Sequence, residues 1–480
     1  MSDTSTCPST DRAVFRSWSS APMMSGRLRM RFVTEDSIPC NREEIETRLE
    51  RKMDGNMRTG RERQQRNLGI DLLRIFCMFL ICILHVCGQG RAMVRYAGRE
   101  EVWYSVYILE TAAYCAVNTY GMISGYVGVR SVRRPSRIVE LWLRVFWYSA
   151  LGTLIAVTFF HLPVESDTLY QALLPTMWKT YWYFSSYVGV FVIEPYLNRL
   201  VKSLGSAGKK KLMITLFLLC SVFTMVPRVA NRDFLGIGAG YSFLWLSVMY
   251  IIGACVRELT DQNGPERQKQ ECSEPGGAET GITETETTAG VKEQKEDSEK
   301  NVDFLHRSGG FYGMLYIICV LVTWISKILI ENWTTSVYGE ARYGRLLFSY
   351  ASPTIVICAF CLLMIFSRLK CRGRVLRELI RFFSPLAFSV YLMQLQPYFW
   401  EYVLAGRYQF IAKLGPAAAC LMVLVMAAAL YLECTAVDLV RMAAFRLLRI
   451  RRVAQVITDF ALRPFAGLTE QENREASGEV

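Results

Sequence analysis

The amino-acid sequence predicts an all-α, polytopic integral membrane protein with about ten transmembrane helices and cytoplasmic N- and C-termini. Hydrophobic residues make up 52% of the 480 residues, which exceeds the ~45–50% apolar content of a typical soluble domain. They form long runs, each close to the ~20 residues that cross a bilayer. The charged residues collect at the N-terminus, in one central segment and between the runs. The excess apolar surface is therefore expected to face lipid.

Ten apolar runs have the length of a membrane span, and they lie near 68–89, 104–128, 138–160, 181–200, 212–228, 234–256, 311–330, 346–367, 383–404 and 414–436. An even number of spans places both termini on the same side of the membrane. Lys and Arg accumulate on cytoplasmic loops, and here they follow the second, fourth, eighth and tenth runs. Because the N-terminal tail is also basic, the consistent topology is a multi-pass protein of the cell membrane with cytoplasmic termini.

Composition divides the chain into two membrane segments and three polar segments. Residues 1–66 are rich in Arg and lack the apolar core of a signal peptide, which predicts a disordered basic cytoplasmic tail. Residues 257–308 are dominated by Glu, Thr, Gly and Lys and predict a disordered acidic cytoplasmic linker, since such a composition cannot bury a core. This linker separates spans 1–6 in 67–256 from spans 7–10 in 309–440. A basic and then polar cytoplasmic tail follows at 441–480.

The first predicted span carries the densest set of charged side chains. Asp71, Arg74 and His85 project within an arc of roughly 60° on one helix face. A charged group inside a bilayer costs at least about 2.5–3.5 kcal/mol on insertion scales, so it usually faces a cavity or a partner. Asp71 can pair with Arg74 one turn away, whereas His85 has no partner in its own helix. Two interpretations of His85 stay open: a packed histidine near the outer end, or a general base.

The second predicted span adds a polar face and a pair of small residues. Glu110 and Asn118 are eight residues apart and share a helix face with Tyr114. A carboxylate inside a span requires a cation or a proton, so Glu110 is a candidate functional residue. Gly121 and Gly125 are four residues apart, and this spacing permits close helix packing, which suffices to explain them.

Other chemistries find little support in the sequence. The fifteen cysteines are scattered through apolar runs, which predicts reduced, packed thiols. Cys358 and Cys361 have redox or metal spacing, but they lie inside an apolar run, which favours packing. No Walker loop or HExxH motif occurs, so no metal is predicted. The net charge of +12 is explained by topology and contact with anionic lipid rather than by nucleic-acid binding.

An ordered set of patches resembles a known family. The leading motif is an arginine, ten residues and a histidine, here Arg74 and His85 in GIDLLRIFCMFLICILHVCGQG. The accompanying patches are CAVNTYGMISGYVG, RIVELWLRVFWYS, YWYFSSYVGVFVIEPYLNRLV, FLWLSVMYIIGA and SPLAFSVYLMQLQP. From about residue 67 to 436 the chain resembles the membrane acyltransferase family called acyltransferase type 3, whose bacterial members move acetyl or other short acyl groups onto surface glycans and related acceptors.

The resemblance implies acyl-CoA as donor, with acetyl-CoA expected, and a glycan or lipid-linked sugar as acceptor. It implies that His85 is essential for acyl transfer. The family's basic residues at the start of the third span are associated with acyl-CoA binding, which here indicates Arg134, Arg137 and Arg144. Guanidinium groups suit the phosphates of coenzyme A. The same arginines also satisfy the preference for basic cytoplasmic loops, so both interpretations stay open.

The chain departs from the family pattern near the ninth predicted span. Relatives commonly show GVYLIH there, often with a second histidine two residues later, whereas this chain has SVYLMQLQP with Gln394 and Gln396. Glutamine donates and accepts hydrogen bonds but cannot shuttle a proton. Activity survives the exchange if those histidines only orient groups. It is slowed, altered or lost if one of them transfers a proton.

The expected mechanism is acyl transfer to a hydroxyl at or beyond the outer face. His85 would deprotonate the acceptor hydroxyl, with Glu110 orienting it or balancing its charge. A variant in which His85 itself carries the acyl group between the two faces stays open. Arg74, held by Asp71, would stabilise the thioester oxyanion or the phosphates of the donor.

The acceptor site is expected to use aromatic and amide side chains. Trp182 and Tyr183, in the segment YWYFSSY, could stack on a sugar, although aromatic residues at a membrane interface are also an ordinary anchoring belt. Asn118 and Gln394 complete the candidate acceptor-binding set. Two other hypotheses remain: a transporter of an anionic or glycan substrate, and a family member that has lost catalysis. The absence of a visible inverted repeat weakens the transporter hypothesis.

Overall fold

The computed structural model describes residues 67–132, 134–164, 166–177, 179–229, 232–233, 235–262, 305, 307–344 and 346–465. Within these residues the chain is helical and contains no strand. The predicted tail at 1–66, most of the predicted linker, and residues 466–480 of the predicted C-terminal tail lie outside the described residues. The all-α class is confirmed for the described part of the chain.

Helices of very different length make up the described chain. In order, the α-helices are α1 Leu68–Cys87, α2 Glu100–Ala113, α3 Ala116–Gly128, α4 Ser136–Phe146, α5 Gly152–Phe160, α6 Ser166–Leu173, α7 Trp182–Ser203, α8 Ser206–Phe217, α9 Met225–Val229, α10 Phe243–Gln262, α11 Gly309–Tyr338, α12 Pro353–Ser367, α13 Arg374–Phe383, α14 Ala387–Gln394, α15 Pro416–Leu447 and α16 Ile450–Leu462. Three π-helical turns interrupt or follow them, at Trp147–Leu151, Leu218–Phe223 and Phe399–Leu404. Short 3₁₀ turns lie at Lys179–Tyr181, Gly238–Gly240, Gln409–Lys413 and Arg463–Phe465.

Among the residues that the structure describes, six helical stretches are long and apolar enough to cross a membrane, namely Leu68–Cys87, Ser136–Phe160, Ser206–Pro227, Phe243–Asp261, Gly309–Tyr338 and Pro416–Leu447. Each coincides with one of the predicted apolar runs. A helix of ~20 residues spans the ~30 Å hydrocarbon core. By length and composition, these stretches indicate a membrane protein.

The other predicted runs form shorter, interrupted or charged helices. The second run is divided between α2 and α3, with a break at Tyr114 and Cys115. The fourth run forms α7, which contains Pro195 and carries Glu194 on the same helix. The ninth run is split among α13, the eight-residue α14 and the π-turn that follows. Interrupted helices expose backbone groups, and in a membrane such backbone is tolerated where protein or a cavity surrounds it.

Helix α1 lies at the centre of the described bundle. The side chain of Asn67 caps its first turn by accepting the backbone N–H groups of Gly69 and Ile70, and also donates to the carbonyl of Ser367 on α12 at 2.9 Å. The helix packs against α2, α3, α12, α13, α14 and α15. Because these neighbours come from both sides of the predicted linker, α1 joins the two membrane segments. Its polar residues therefore face other helices rather than lipid alone.

Close backbone contact joins α3 to α10. A Cβ atom on Gly125 would lie 2.6 Å from the carbonyl carbon of Tyr250, and one on Gly253 would lie 2.7 Å from that of Met122. Only glycine fits such an approach without moving a backbone. The predicted packing role of Gly125 is confirmed, and Gly253 is its counterpart on the facing helix.

A buried ion pair ties α15 to the third predicted span. Asp438 and Arg441 are almost fully buried and form two hydrogen-bonded contacts, one of them between Arg441 Nη2 and Asp438 Oδ2 at 2.9 Å. The hydroxyl of Tyr148 donates to the same carboxylate at 2.5 Å. Tyr148 lies in the π-turn between α4 and α5, so this network fixes that turn against α15. Inside the bundle the two charges compensate each other, whereas lipid would leave each of them without a partner.

Candidate active site

Two distant segments bring His85 and Gln394 together. His85 lies in the last turn of α1 and Gln394 at the end of α14, and their Nδ1 and Oε1 atoms are 2.6 Å apart. An amide oxygen only accepts hydrogen bonds, so Nδ1 of His85 is the donor in this contact, and in the neutral imidazole Nε2 is then the unprotonated ring nitrogen. The amide nitrogen of Gln394 donates to Cys82 Sγ at 3.2 Å, which fixes the orientation of the amide.

The π-turn after α14 supports the histidine ring from a second side. Trp400 in this turn contacts His85 edge to face, with ring centroids 5.1 Å apart and an interplanar angle of 89°. The backbone N–H of Phe399 donates to Gln396 Oε1 at 2.8 Å, which holds the start of the turn. Gln396 therefore stabilises the turn, while Gln394 contacts the histidine. π-helical turns often occur at functional sites.

His85 lines a cavity of about 680 Å³, a size within the ~300–1,000 Å³ of small-molecule sites. Aromatic rings form one continuous wall of this histidine cavity. Tyr114 contacts Phe348 and Tyr350 with centroids 4.1 and 4.7 Å apart, and Tyr241 contacts Trp182 and Tyr350 at 4.7 and 4.9 Å. Flat, weakly polar walls of this kind accommodate the apolar faces of sugar rings.

Polar groups other than tyrosine hydroxyls are few in the histidine cavity. They include His85, Glu110 from α2 and Ser349 from the loop before α12. Glu110 is the carboxylate among the residues that line this cavity. The predicted set of His85, Glu110, Trp182 and Tyr183 is thus brought to one cavity, from α1, α2 and α7.

A second, smaller cavity of about 180 Å³ collects arginines. This arginine cavity is lined by Arg74 from α1, Arg134 just before α4 and Arg137 in the first turn of α4. Arg74 Nη1 lies 2.7 Å from Asp71 Oδ1, so the predicted pair is present. Asp71 is buried and also accepts the hydroxyl of Ser384 at 3.1 Å. The lining of this cavity also includes the carboxylate of Glu194, so three guanidinium groups outnumber one carboxylate there. Such a lining is chemically suited to an anion.

Four predicted site residues line neither cavity. Asp71 and Gln394 contact Arg74 and His85, which do line them, whereas Asn118 and Arg144 have other partners. Asn118 is buried and its amide is used internally, since it donates to the carbonyl of Tyr350 at 2.7 Å and accepts the indole N–H of Trp245 at 2.9 Å. Arg144 donates to the carbonyl of Pro385 at 3.4 Å and lies 3.9 Å from Glu140. The structure therefore does not bring these two residues together with the others.

Several residues of the site were missed by sequence reasoning. Tyr120 and Tyr391 line the histidine cavity and fall inside the patches that carry the family resemblance, but nothing in their spacing marked them. Trp400 had no signal in the sequence, because its contact with His85 joins positions more than three hundred residues apart.

The described residues hold no group of three or more His, Cys, Asp or Glu side chains placed to bind a metal ion. Cys358 and Cys361 are both buried free thiols in α12. The Cys358 Sγ atom donates to the carbonyl of Tyr316 at 3.7 Å, which fits the predicted packing role.

Comparison with known proteins adds an independent finding. The sequence model of the acyltransferase 3 family, described as an acyltransferase domain, matches residues 67–434. No curated protein and no solved structure matches the chain. The family match covers most of the chain, including both cavities and α1 with its arginine and histidine. Together with the membrane helices it shows that this chain belongs to the acyltransferase 3 family of membrane acyltransferases.

Proposed function

We propose that this protein transfers an acyl group, expected to be acetyl, from cytoplasmic acyl-CoA to a hydroxyl of a surface glycan or lipid-linked sugar. His85 acts as the general base that removes the proton of the acceptor hydroxyl. The observation that carries the proposal is the contact between His85 Nδ1 and Gln394 Oε1 at 2.6 Å. This contact leaves Nε2 as the basic nitrogen of a ring that lines the cavity.

The arginine cavity supports the donor half of the reaction. Coenzyme A carries phosphates at the end remote from its thioester, and Arg74, Arg134 and Arg137 surround a cavity suited to them. This cavity and the histidine cavity share lining residues, so a donor bound at the arginines has its acyl end directed at the shared wall. Binding the remote end of a substrate lowers the entropy lost in positioning its reactive end.

The histidine cavity supports the acceptor half. Its aromatic wall offers stacking surfaces, and Trp182 from α7 contributes one of them. Glu110 shares the cavity with His85, where a carboxylate stabilises the imidazolium that forms when the base takes its proton. A sugar with its ring on the aromatic wall would present hydroxyls toward these two side chains.

The proposed topology comprises about ten spans, cytoplasmic termini and a location in the cell membrane. It places the start of α1, with Arg74, near the cytoplasmic face where acyl-CoA is available, and His85 about 16 Å further along the helix. The test is a set of reporter fusions after each predicted even-numbered span and at the C-terminus. Activity of a cytoplasmic reporter at all of these points supports the topology, and activity of an exported reporter at any of them contradicts it.

The functional test measures ester-linked acetate released by mild base from surface glycans of the native host. Three strains are compared: wild type, a deletion, and the deletion complemented with His85→Ala. Acetate lost in the deletion and not restored by His85→Ala, with the variant present in the membrane, supports the proposal. An unchanged amount of released acetate in all three strains would exclude O-acetylation of those glycans as the function.

Transport is a second candidate, because two cavities meet at a shared aromatic wall, as alternating access also requires. A transporter moves its substrate without covalent change. Deletion would then deplete a whole glycan or anion outside the cell, whereas loss of an acyltransferase removes only the acyl group from a glycan that is still exported.

A further inference from the structure

Helix α13 carries its apolar and its charged side chains on opposite faces. The helix is ten residues long and has the sequence RVLRELIRFF. At about 100° per residue, its apolar side chains fall within an arc of about 160°, and its charged side chains fall within an opposite arc of about 100°. The charged face consists of Arg374, Arg377, Glu378 and Arg381. Such a division is typical of a helix that lies between an apolar and an aqueous phase.

The described part of the chain leaves the apolar face of α13 exposed. Val375 is 75% exposed, Leu379 49% and Phe382 45%, whereas Ile380 on the edge of this face is buried against the bundle. The three exposed side chains lie together on one face of the helix. Adjacent apolar side chains of this size that remain exposed in the folded chain indicate contact with a partner or a membrane.

The length and the place of α13 in the fold indicate a membrane surface. Ten residues measure about 15 Å along a helix axis, about half of the ~30 Å hydrocarbon core. The helix follows a short loop after the end of α12 at Ser367, and the carbonyl of Ser367 accepts a hydrogen bond from Asn67 at the start of α1. The end of one apolar helix and the start of another meet there, so α13 lies at one end of the bundle.

A buried hydrogen bond holds α13 at this depth. Ser384 directly follows the helix, and its hydroxyl donates to Asp71 Oδ1 at 3.1 Å. Asp71 is in the first turn of α1 and pairs with Arg74. The helix itself also packs against α1. The exposed apolar face of α13 is therefore fixed level with the first turn of α1 and directed away from the bundle.

The charged face of α13 is predominantly basic. Its three arginines outnumber Glu378, and Arg372 in the preceding loop is also exposed. Arg381 lies 2.8 Å from Glu378, but both side chains are more than half exposed, so water competes strongly with this pair. Arg377 donates to the carbonyl of Gly373 at 3.2 Å through Nε, which leaves its other guanidinium donors to point outward. Such a surface complements a ligand with a negatively charged head and an apolar tail.

We propose that α13 is an interfacial helix that binds anionic phospholipid on the side of the membrane where α1 begins. Val375, Leu379 and Phe382 lie beside the acyl chains, and the arginines of the charged face contact the phosphates of the head groups. In the proposed topology this side is the cytoplasmic leaflet. The site is joined to Arg74 of the arginine cavity through Ser384 and Asp71, but lipid binding at α13 does not depend on acyl transfer.

The test measures lipid binding by the purified full-length protein in detergent. Wild type is titrated with short-chain phosphatidylglycerol and with the matching phosphatidylcholine, which has no net charge. The double variant Arg377→Gln/Arg381→Gln is compared with the control Arg342→Gln/Arg407→Gln, which removes two exposed, carboxylate-paired arginines outside α13. An arginine near an anionic lipid surface contributes about fivefold in affinity, so we expect the α13 variant to raise the Kd for phosphatidylglycerol about 25-fold. The control should leave this Kd unchanged.

A second variant, Leu379→Gln, tests the apolar face. Because Leu379 is half exposed, the substitution should leave the denaturation temperature of the solubilised protein unchanged while it weakens binding of both lipids. Glycerol 3-phosphate, which supplies a charged head without acyl chains, should bind far more weakly than phosphatidylglycerol.

Five results would overturn the proposal. Three concern the lipid itself: equal affinity of wild type for the two lipids, an unchanged Kd for phosphatidylglycerol in Arg377→Gln/Arg381→Gln, and binding of glycerol 3-phosphate as tight as that of the lipid. Displacement of the lipid by coenzyme A would assign the arginines of α13 to donor binding instead. A dimer of wild type that Leu379→Gln dissociates would assign the apolar face to a second copy of the chain.

Discussion

Replacing Gln394 with leucine tests whether the contact with His85 organises the site. Leucine has a similar volume and keeps the packing of α14, but it removes the oxygen that accepts the Nδ1 proton at 2.6 Å. It also removes the donor to Cys82 Sγ. The imidazole then has no fixed tautomer and is held mainly by its contact with Trp400. The fraction of protein molecules with a basic Nε2 toward the cavity falls.

The size of the effect follows from the lost hydrogen bond. A buried donor left without its acceptor costs about 1–3 kcal/mol. Since about 1.36 kcal/mol corresponds to a tenfold change in rate, Gln394→Leu should lower kcat about 5- to 150-fold. The upper limit is set by catalytic triads, where the wrong histidine tautomer costs about 10⁴. A neutral amide stabilises imidazolium less than a carboxylate does, so the loss should stay below that limit.

The assay measures acetyl transfer from labelled acetyl-CoA in membranes, with Gln396→Leu as the matched control. Both glutamines are buried and only two residues apart, but Gln396 contacts the backbone N–H of Phe399 rather than His85. The control therefore reports the general cost of losing a buried amide in this segment. A kcat for Gln394→Leu equal to that of wild type, or a fall no larger than that of Gln396→Leu, would refute the orienting role.

Three further predictions concern the donor site and the fold. Arg137→Gln should raise KM for acetyl-CoA about tenfold with little change in kcat, because it removes one charge-assisted contact at a solvent-accessible cavity. The control Arg446→Gln, at an exposed position, should leave KM unchanged. Initial rates measured against acetyl-CoA concentration check both variants. Asp438→Asn leaves Arg441 buried without its counter-charge, which costs about 3–5 kcal/mol, and should lower the denaturation temperature of the solubilised protein. Gly253→Leu collides with the backbone of Met122 and should reduce the amount of folded protein in the membrane, measured by fluorescence-detected size exclusion.

Sequence reasoning recovered the features that lie within one helix. The pairing of Asp71 with Arg74 follows from a three-residue spacing, and the structure has the two atoms 2.7 Å apart. The long apolar runs predicted membrane helices, and six of them form stretches long enough to cross a bilayer. Local periodicity needs no knowledge of the fold, so such features are accessible from one sequence.

The predicted polar face of the second span is not a single cavity lining. Glu110 and Tyr114 line the histidine cavity, whereas Asn118 does not, and the two helices are separated at Tyr114 and Cys115. Even in an ideal helix a residue eight positions on projects about 80° away from the first, so the shared face was broad. Asn118 instead hydrogen-bonds to Trp245 and to the carbonyl of Tyr350. A break without Gly or Pro leaves little trace in the sequence.

The contact between His85 and Gln394 could not be predicted, since it joins residues 309 positions apart. At Gln394 the sequence departs from the family pattern, and the sequence alone is compatible both with an active enzyme and with loss of activity. In the structure the amide oxygen of Gln394 accepts a hydrogen bond from His85 Nδ1, and orienting the ring in this way requires no proton transfer. The departure is therefore compatible with catalysis by His85 in a way that the sequence alone could not decide.

The surroundings of His85 bear on whether catalysis has been lost. Its ring lines a cavity and is held at Nδ1 by Gln394 at 2.6 Å. A membrane scaffold gains nothing from an imidazole that is oriented toward a cavity rather than packed in a core. A few precisely placed polar groups in a largely apolar cavity are characteristic of sites that bind a ligand. That this cavity shares an aromatic wall with a cluster of arginines favours a working acyltransferase over a lapsed one.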